Sequence, residues 1–479
     1  MNKRELYHLT ESAVIDGLNH IKTNFDANKP DPWEDEKYHS DLKYEGTFQS
    51  GIPNWSINRK VYNYGHWLKR EKDWIDTISW KNFRSYALTN ESYRKHYSLE
   101  RFDNENDPLL KKMHQEIYIE RILAELIDHY IHKYKTKKFN TKRFESIFEL
   151  WYKSLSSNQL KFNLWIPIIF TKFERKYYKI DNKISIQEIP NRLQAVRNLF
   201  TQYNLELKGP KGTLSKACSH AIVWKDWQFT GSLNNDSLYQ IVYNIFEKDE
   251  FIKTLNNIIG SIRIITGFDI GYYQIFAEPV GWKRKFVAQY SSVISCYKEE
   301  YPLKYEKHQW NVNPDVITFN QLQDIRKIML KLNSSKVKEI RFALLKLNSI
   351  MLRSKVDDII FDTSVALEAL LANDSRSEIT YRLSTRGSYL SALHTFKNFK
   401  PSEIKYLLSK LYNYRSGVAH GEGKDKIAKL RYINVNETQV DLLSFAPEFL
   451  RFSLKTFLLD EKLSNFDLLE SAIVNNVVK

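Results

Sequence analysis

Residues 411–421 read Leu-Tyr-Asn-Tyr-Arg-Ser-Gly-Val-Ala-His-Gly and set Arg415 five positions ahead of His420. An arginine is permanently charged and presents a planar fork of donors that fits a phosphate, whereas histidine is the side chain that takes up and releases a proton near neutral pH. Together they point to chemistry on a phosphodiester. Cleavage by a neighbouring ribose 2′-hydroxyl needs a base for that proton, an acid for the departing 5′-oxygen and positive charge at the crowded phosphorane. His420 fits either proton role and Arg415 fits the charge.

The bare spacing is common, so its surroundings must carry the reading. On an ideal helix five residues turn through about 500°, which leaves Arg415 and His420 about 140° apart. One helix holds them awkwardly. Two copies related by a two-fold axis can converge both pairs, and that symmetry is the commonest among oligomers. The plainer alternative makes Arg415 a crosslink between helices and His420 a satisfied core residue.

The elements around the motif read as helices. Thr318-Phe319-Asn320-Gln321 fits a capping box, followed by Leu322, Ile325, Ile328, Met329 and Leu332 at helical spacing. Val337, Ile340, Leu344, Leu347 and Met351 mark a second helix, and Ile360, Ser364, Leu367 and Leu371 a third. A fourth is expected over residues 377–392. A fifth starts near Pro401 and carries Ile404, Leu408, Leu411, Arg415 and Val418 on one stripe. Phe445, Phe449, Phe452 and Phe457 belong to a closing apolar stretch. The expected fold class is therefore mixed: an all-α C-terminal bundle over residues 311–479, preceded by a larger α+β region over residues 1–310 with room for two subdomains.

In that first region residues 109–134 and 186–205 are expected to be helices. Residues 267–301 look strand-like, with Tyr272–Phe276 and Phe286–Tyr290 separated by the turn formers Pro279-Val280-Gly281. After Trp310 the pattern turns helical.

The chain has 479 residues, enough for about two to four domains. A hydrophobic content of 42% argues against disorder. No apolar run long enough to span a bilayer and no secretory signal is found, which leads to the expectation of a cytoplasmic protein without a membrane partner. Two cysteines, Cys218 and Cys296, are too few for a disulfide framework. The net charge of +15 favours a polyanion, although Lys-rich composition alone produces the same excess.

Other constellations are weaker. His129 and His132, beside Asp128, stand one helical turn apart but lack a third ligand, so no metal and no cofactor is expected. Basic residues interleaved with aromatics run from Lys133 to Arg143, and recur at Arg175-Lys176 and Lys283-Arg284-Lys285, a pattern suited to tracking RNA phosphates while stacking bases. A solvated helix end is the favoured account of the Lys133–Arg143 run, and an exposed hairpin turn is the plainer account of Lys283-Arg284-Lys285. Motifs of NTPases, dinucleotide enzymes, zincins and α/β-hydrolases are absent from the sequence.

Three segments in order, residues 360–371 (Ile-Phe-Asp-Thr-Ser-Val-Ala-Leu-Glu-Ala-Leu-Leu), residues 378–386 (Glu-Ile-Thr-Tyr-Arg-Leu-Ser-Thr-Arg) and the Arg415 motif, resemble the HEPN superfamily and within it the ApeA-like HEPN domains. The resemblance covers residues 320–460. It implies a metal-independent endoribonuclease working as a homodimer, with Arg415 and His420 catalytic and with Ser416, Glu368, Arg386 and Tyr412 supporting them. Glu378 is a weaker supporting candidate. The wider superfamily places Asn, Asp or His after the motif arginine where this chain has Ser416. The resemblance further implies cleavage of RNA, tRNA foremost, in anti-phage defence by abortive infection. The N-terminal region would then restrain the nuclease until a phage-derived trigger arrives. Two rivals remain: a catalytically inactive RNA-binding or scaffold protein, and the toxin of a toxin–antitoxin pair.

Overall fold

A computed structural model describes residues 2–26, 38–47, 53–103, 106–202, 218–230, 243–245, 248–291, 293–302, 315–373, 378–422 and 424–477. The fold is mixed α and β, and the chain divides into two compact units. The first comprises Met1–Pro167, Lys179–Ile245 and Gln274–Lys298; the second comprises Ile168–Tyr178, Phe246–Tyr273 and Glu299–Lys479. The expected boundary at residue 310 falls outside the described residues.

The first unit begins with the helix Lys3–Asn24, started by the Asn2 side chain, which accepts from the backbone of Arg4 and Glu5. Its buried face, Leu6, Ala13, Val14, Leu18 and Ile21, joins one core with Phe83, Leu123, Ile127 and Trp151. Leu123 and Ile127 lie on the long helix Pro108–Tyr134, which has proline in its first turn and Asp107 as its cap.

A six-stranded sheet runs in the spatial order Ile294–Glu300, Gly271–Pro279, Gln159–Ile169, His220–Thr230, Ile184–Glu188, Tyr177–Lys179. Gln159–Ile169 pairs antiparallel with His220–Thr230, Leu160 opposite Phe229 and Ile166 opposite Ile222, with the register shifting between Phe162 and Leu164.

Two sequence expectations need correction here. Residues 186–205 do not form one helix: Ile184–Glu188 is a strand, and the helix is Asn191–Gln202. Ile184 and Ile186 alternate with Ser185 at the strand period, and Pro190 suits the start of a helix but not its middle. Residues 203–205 lie outside the described residues. Phe286–Tyr290 is not one strand but a tight pairing of Phe286–Val287 with Tyr290–Ser291, made possible by a left-handed Ala288 (φ 48°).

The second unit contains the helices Asp249–Thr266, Phe319–Ser334, Lys338–Ile350, Val356–Leu371, Ile379–Leu393, Pro401–Ala419, Leu442–Leu459 and Phe466–Val477. Both bonds of the Thr318–Gln321 capping box are present, and the Glu174 carboxylate accepts the adjacent Phe319 N–H at 2.7 Å. Leu344, Leu367, Leu390, Leu408, Leu411 and Phe449 belong to one core. Asp249–Thr266 comes close at Gly260, where a Cβ would lie 2.3 Å from Leu344 Cδ1. The expected all-α character of residues 311–479 needs correction: Val316–Ile317 pairs parallel with Lys172–Phe173, and an antiparallel hairpin, Tyr432–Val435 with Thr438–Asp441, interrupts the helices. Its turn residues Asn436 and Glu437 are both left-handed (φ 44° and 64°), as the tightest hairpin turn requires. Among the described residues no helix is long and apolar enough to cross a membrane.

Candidate functional site

The helix Pro401–Ala419 carries the motif. Proline occupies its first turn, and the Glu403 carboxylate accepts the Lys400 N–H at 2.8 Å. Ile404, Leu407, Leu408, Leu411 and Tyr414 form its buried stripe. Tyr414 donates its hydroxyl proton to Asp357 Oδ1 at 2.6 Å, which ties the motif helix to Val356–Leu371. Burial and the Asp357 carboxylate both push the Tyr414 phenol upward, so it remains a donor.

Arg415 reaches the same neighbouring helix. Its Nε lies 3.3 Å from Glu368 Oε1, yet neither atom completes a hydrogen bond although both are buried. The contact is one of charge, without the aligned geometry of a hydrogen bond. The rings of Phe361 and Tyr412 hold the guanidinium, with centroids at 5.5 Å and 5.7 Å. Among the described residues the two Nη groups have no hydrogen-bond partner, and the side chain is 27% exposed. Burial raises the Glu368 pKa above the usual glutamate value while Arg415 opposes the shift.

His420 ends the helix. Its N–H bonds Ser416 O at 3.0 Å, Gly421 N–H bonds Val418 O at 3.2 Å, and Glu422 N–H bonds Gly417 O at 3.0 Å. The last two are the pair of bonds in a Schellman cap, and Gly421 (φ 68°) supplies its left-handed residue. Gly417 packs against the Glu422 side chain: a Cβ there would sit 2.9 Å from Glu422 Oε2, the far end of a flexible side chain that can move aside. The His-Gly pair is thus first of all a helix stop. The His420 side chain is exposed, and no hydrogen bond or ion pair joins it to Arg415.

Of the supporting residues, Glu368 and Tyr412 meet Arg415, while the half-buried Ser416 contributes its carbonyl to the cap. Arg386 points elsewhere. It donates to Leu371 O at 3.1 Å, pairs with Glu470 at 3.3 Å and stacks over Phe466 at 3.7 Å, holding the C-terminal helix. Glu378 is exposed and left-handed (φ 56°) at the start of Ile379–Leu393. Sequence reading missed Asp357 and Phe361. Both share a stripe with Glu368 at steps of four and seven residues, so helical periodicity was the signal that could have found them.

The basic candidates diverge. Arg284 is buried, donates to His96 O at 3.0 Å and lies over the Tyr97 ring, so it is no part of an exposed basic surface. Lys285, Arg175 and Lys176 are exposed, with Arg175 over Phe319 at 4.8 Å. Lys283 is half-buried in the first unit. In the Lys133–Arg143 run the aromatics serve the protein itself: Tyr134 accepts cation contacts from Lys133 and Arg143, and Phe139 stacks on Tyr130.

His129 and His132 also part company, His129 bonding Ala288 O and His132 bonding Tyr62 O, each at 2.8 Å. Burial pushes the His129 imidazole down to about 3 despite the Ala288 carbonyl. For His132 burial lowers the pKa, but the Asp128 hydrogen bond and charge outweigh it and the net shift is upward. Among the described residues no group of three His, Cys, Asp or Glu side chains is placed to hold a metal.

The HEPN resemblance is overturned by comparison with known families. The family model that matches is the phloem filament protein PP1 cystatin-like domain, over residues 121–181, and no HEPN family matches. The matched segment contains the end of Pro108–Tyr134, the helix Thr141–Ser156 and the strand Gln159–Ile169. No curated protein and no solved structure matches the chain. The expectations of tRNA as substrate, of anti-phage defence and of a phage-derived trigger rested on the HEPN resemblance and lose that support with it.

Proposed function

We propose that the protein is an endoribonuclease that cuts RNA by 2′-hydroxyl attack, using Arg415 and His420. The observation that carries this reading is the Arg415 guanidinium: charged, held by two rings, partly exposed, and with both Nη groups uncommitted among the described residues. An anionic phosphate is the natural partner for such a fork. The exposed imidazole of His420 stands at the end of the same helix.

In the reaction the 2′-oxygen attacks phosphorus as a histidine takes its proton. The P–O5′ bond then breaks and the leaving oxygen is protonated, giving a 2′,3′-cyclic phosphate and a 5′-hydroxyl. Arg415 offsets the charge of the phosphorane. Because Arg415 and His420 diverge on one helix, the proposal includes a homodimer in which the motif helices of two copies, as parts of C-terminal helical bundles, complete each other's sites.

The test incubates the purified chain with single-stranded RNA in EDTA. Expected are cyclic-phosphate ends, with His420→Ala lowering the rate by about 10²–10⁴-fold, the range for loss of a general acid or base. Arg415→Ala should be as damaging. Cleavage that survives His420→Ala would sink the reading.

A second reading has its own observation: Arg415 already faces Glu368, and the His-Gly pair already has a structural task as a cap. On that reading the chain binds RNA without cutting it. Binding that falls with Arg415→Ala in the absence of any cleavage would favour it.

A further inference from the structure

The loop after the strand Gly271–Pro279 is firmly built. Trp282 Nε1 donates to Lys161 O at 2.6 Å, Val280 N–H to the same carbonyl at 2.9 Å, and Lys283 N–H to Leu150 O at 2.9 Å. Gly281 takes the left-handed conformation (φ 75°) the turn requires. The loop sets the Lys283 side chain into a cavity of about 120 Å³ in the first unit.

Leu193, Val196, Pro279 and Val293 supply the cavity's apolar lining, and Arg192 and Glu278 its charged lining. Glu278 is the only carboxylate there among the described residues, and both its oxygens are committed: Oε1 accepts from Arg192 at 2.6 Å and Oε2 from Trp165 Nε1 at 3.0 Å. Lys283 therefore has no counter-ion among the described residues. Its charged surroundings are Lys133 and Arg192, with Glu278 alone opposing them, and its charge is also felt at His129. A half-buried ammonium whose nearby carboxylate is already engaged by Arg192 and Trp165 lacks an anion of its own.

We propose that this cavity binds a small organic anion, a carboxylate or phosphate head on a short apolar body, with the head on Lys283 and the body against Leu193, Val196 and Val293. Its size agrees, since a cavity of about 150 Å³ holds a benzene. This site is independent of Arg415 and His420. Burial, with Lys133 and Arg192 nearby, pushes the Lys283 ammonium down to about 8. The sign follows: below that pH the lysine is charged and holds the anion, above it the neutral amine does not, and a bound anion draws the proton back.

Titration calorimetry on the full chain tests the proposal, with butyrate and inorganic phosphate as separate probes at pH 7. Saturable binding of at least one is expected, and the preferred probe identifies the head group. Lys283→Met should weaken binding at least tenfold and Lys283→Arg should preserve it, which separates loss of charge from loss of fold. Above about pH 8 the wild-type affinity should fall about tenfold per pH unit, with proton uptake on binding. Failure of both probes to saturate, equal binding by Lys283→Met, or an affinity flat between pH 7 and 9.5 would overturn it. So would one-for-one displacement of the bound probe by a short RNA, which would assign Lys283 to a polyanion surface.

Discussion

Arg415 is held between two demands. Glu368 sits 3.3 Å away without the alignment of a hydrogen bond, and burial already disfavours its charged form. A phosphate arriving at the guanidinium competes with this carboxylate and is repelled by it. Glu368→Gln keeps the shape and removes the repulsion, so RNA should bind a few-fold more tightly to that variant at pH 7. The wild-type chain should approach the variant as the pH falls toward the carboxylate range. Because the Glu368 pKa is raised, protonation begins at a higher pH than for an ordinary glutamate. A gel-shift series at pH 7, 6 and 5 with one RNA checks this, and weaker binding by Glu368→Gln at pH 7 would make Glu368 an organiser of Arg415 instead of a restraint.

The element that carries the motif was legible in the sequence because its signals are local. Pro401 at the start, apolar residues at steps of three and four, and a glycine after His420 together mark a helix and its end. That glycine gives a clean measurement. Nothing lies within 4 Å of a Cβ built on Gly421, so Gly421→Ala should cost only the left-handed backbone term, about 1 kcal/mol in urea unfolding. Gly421→Asn should cost less, since asparagine tolerates this conformation. Equal stability of all three chains would mean that the cap does not hold in solution. What was not legible depends on distant residues. The place of Asp249–Thr266 in the second unit is set by Gly260 against Leu344, far along the chain. The hairpin at Tyr432–Asp441 has a turn, Asn-Glu, that lacks the glycine by which such turns are recognised. At the site, Arg415 and His420 could be named from residue type, but the Glu368 contact, the Phe361 ring and the Tyr414–Asp357 bond needed the neighbouring helix.

At the scale of the molecule the two units differ in their buried histidines. The first unit buries His96 and His129, both with pKa values pushed down by burial, His129 to about 3. In the second unit His394 and His420, its histidines among the described residues, are exposed. A histidine neutral in the folded state but protonated at about 6.5 when unfolded contributes stability above that pH and loses it as the pH falls toward the folded value. At pH 5 the loss amounts to about 2 kcal/mol for His129, from 1.4 kcal/mol per pH unit. His132 acts oppositely, because its pKa is raised and its contribution persists below 6.5, so it offsets part of the loss from the other two. The first unit should therefore be the acid-sensitive one. Its unfolding dominates the tryptophan signal, since ten of the eleven tryptophans fall within its segments and Trp310 falls in the second unit. The midpoint of urea unfolding by tryptophan fluorescence should drop between pH 7 and pH 5. Protonation across a chain of net charge +15 also lowers stability through general repulsion, which acts on every variant alike. His129→Gln, whose amide can still donate to the Ala288 carbonyl, separates the two causes: its midpoint should fall less steeply than that of the wild type. Parallel slopes for the two chains would place the acid sensitivity in overall charge and not in the buried imidazole.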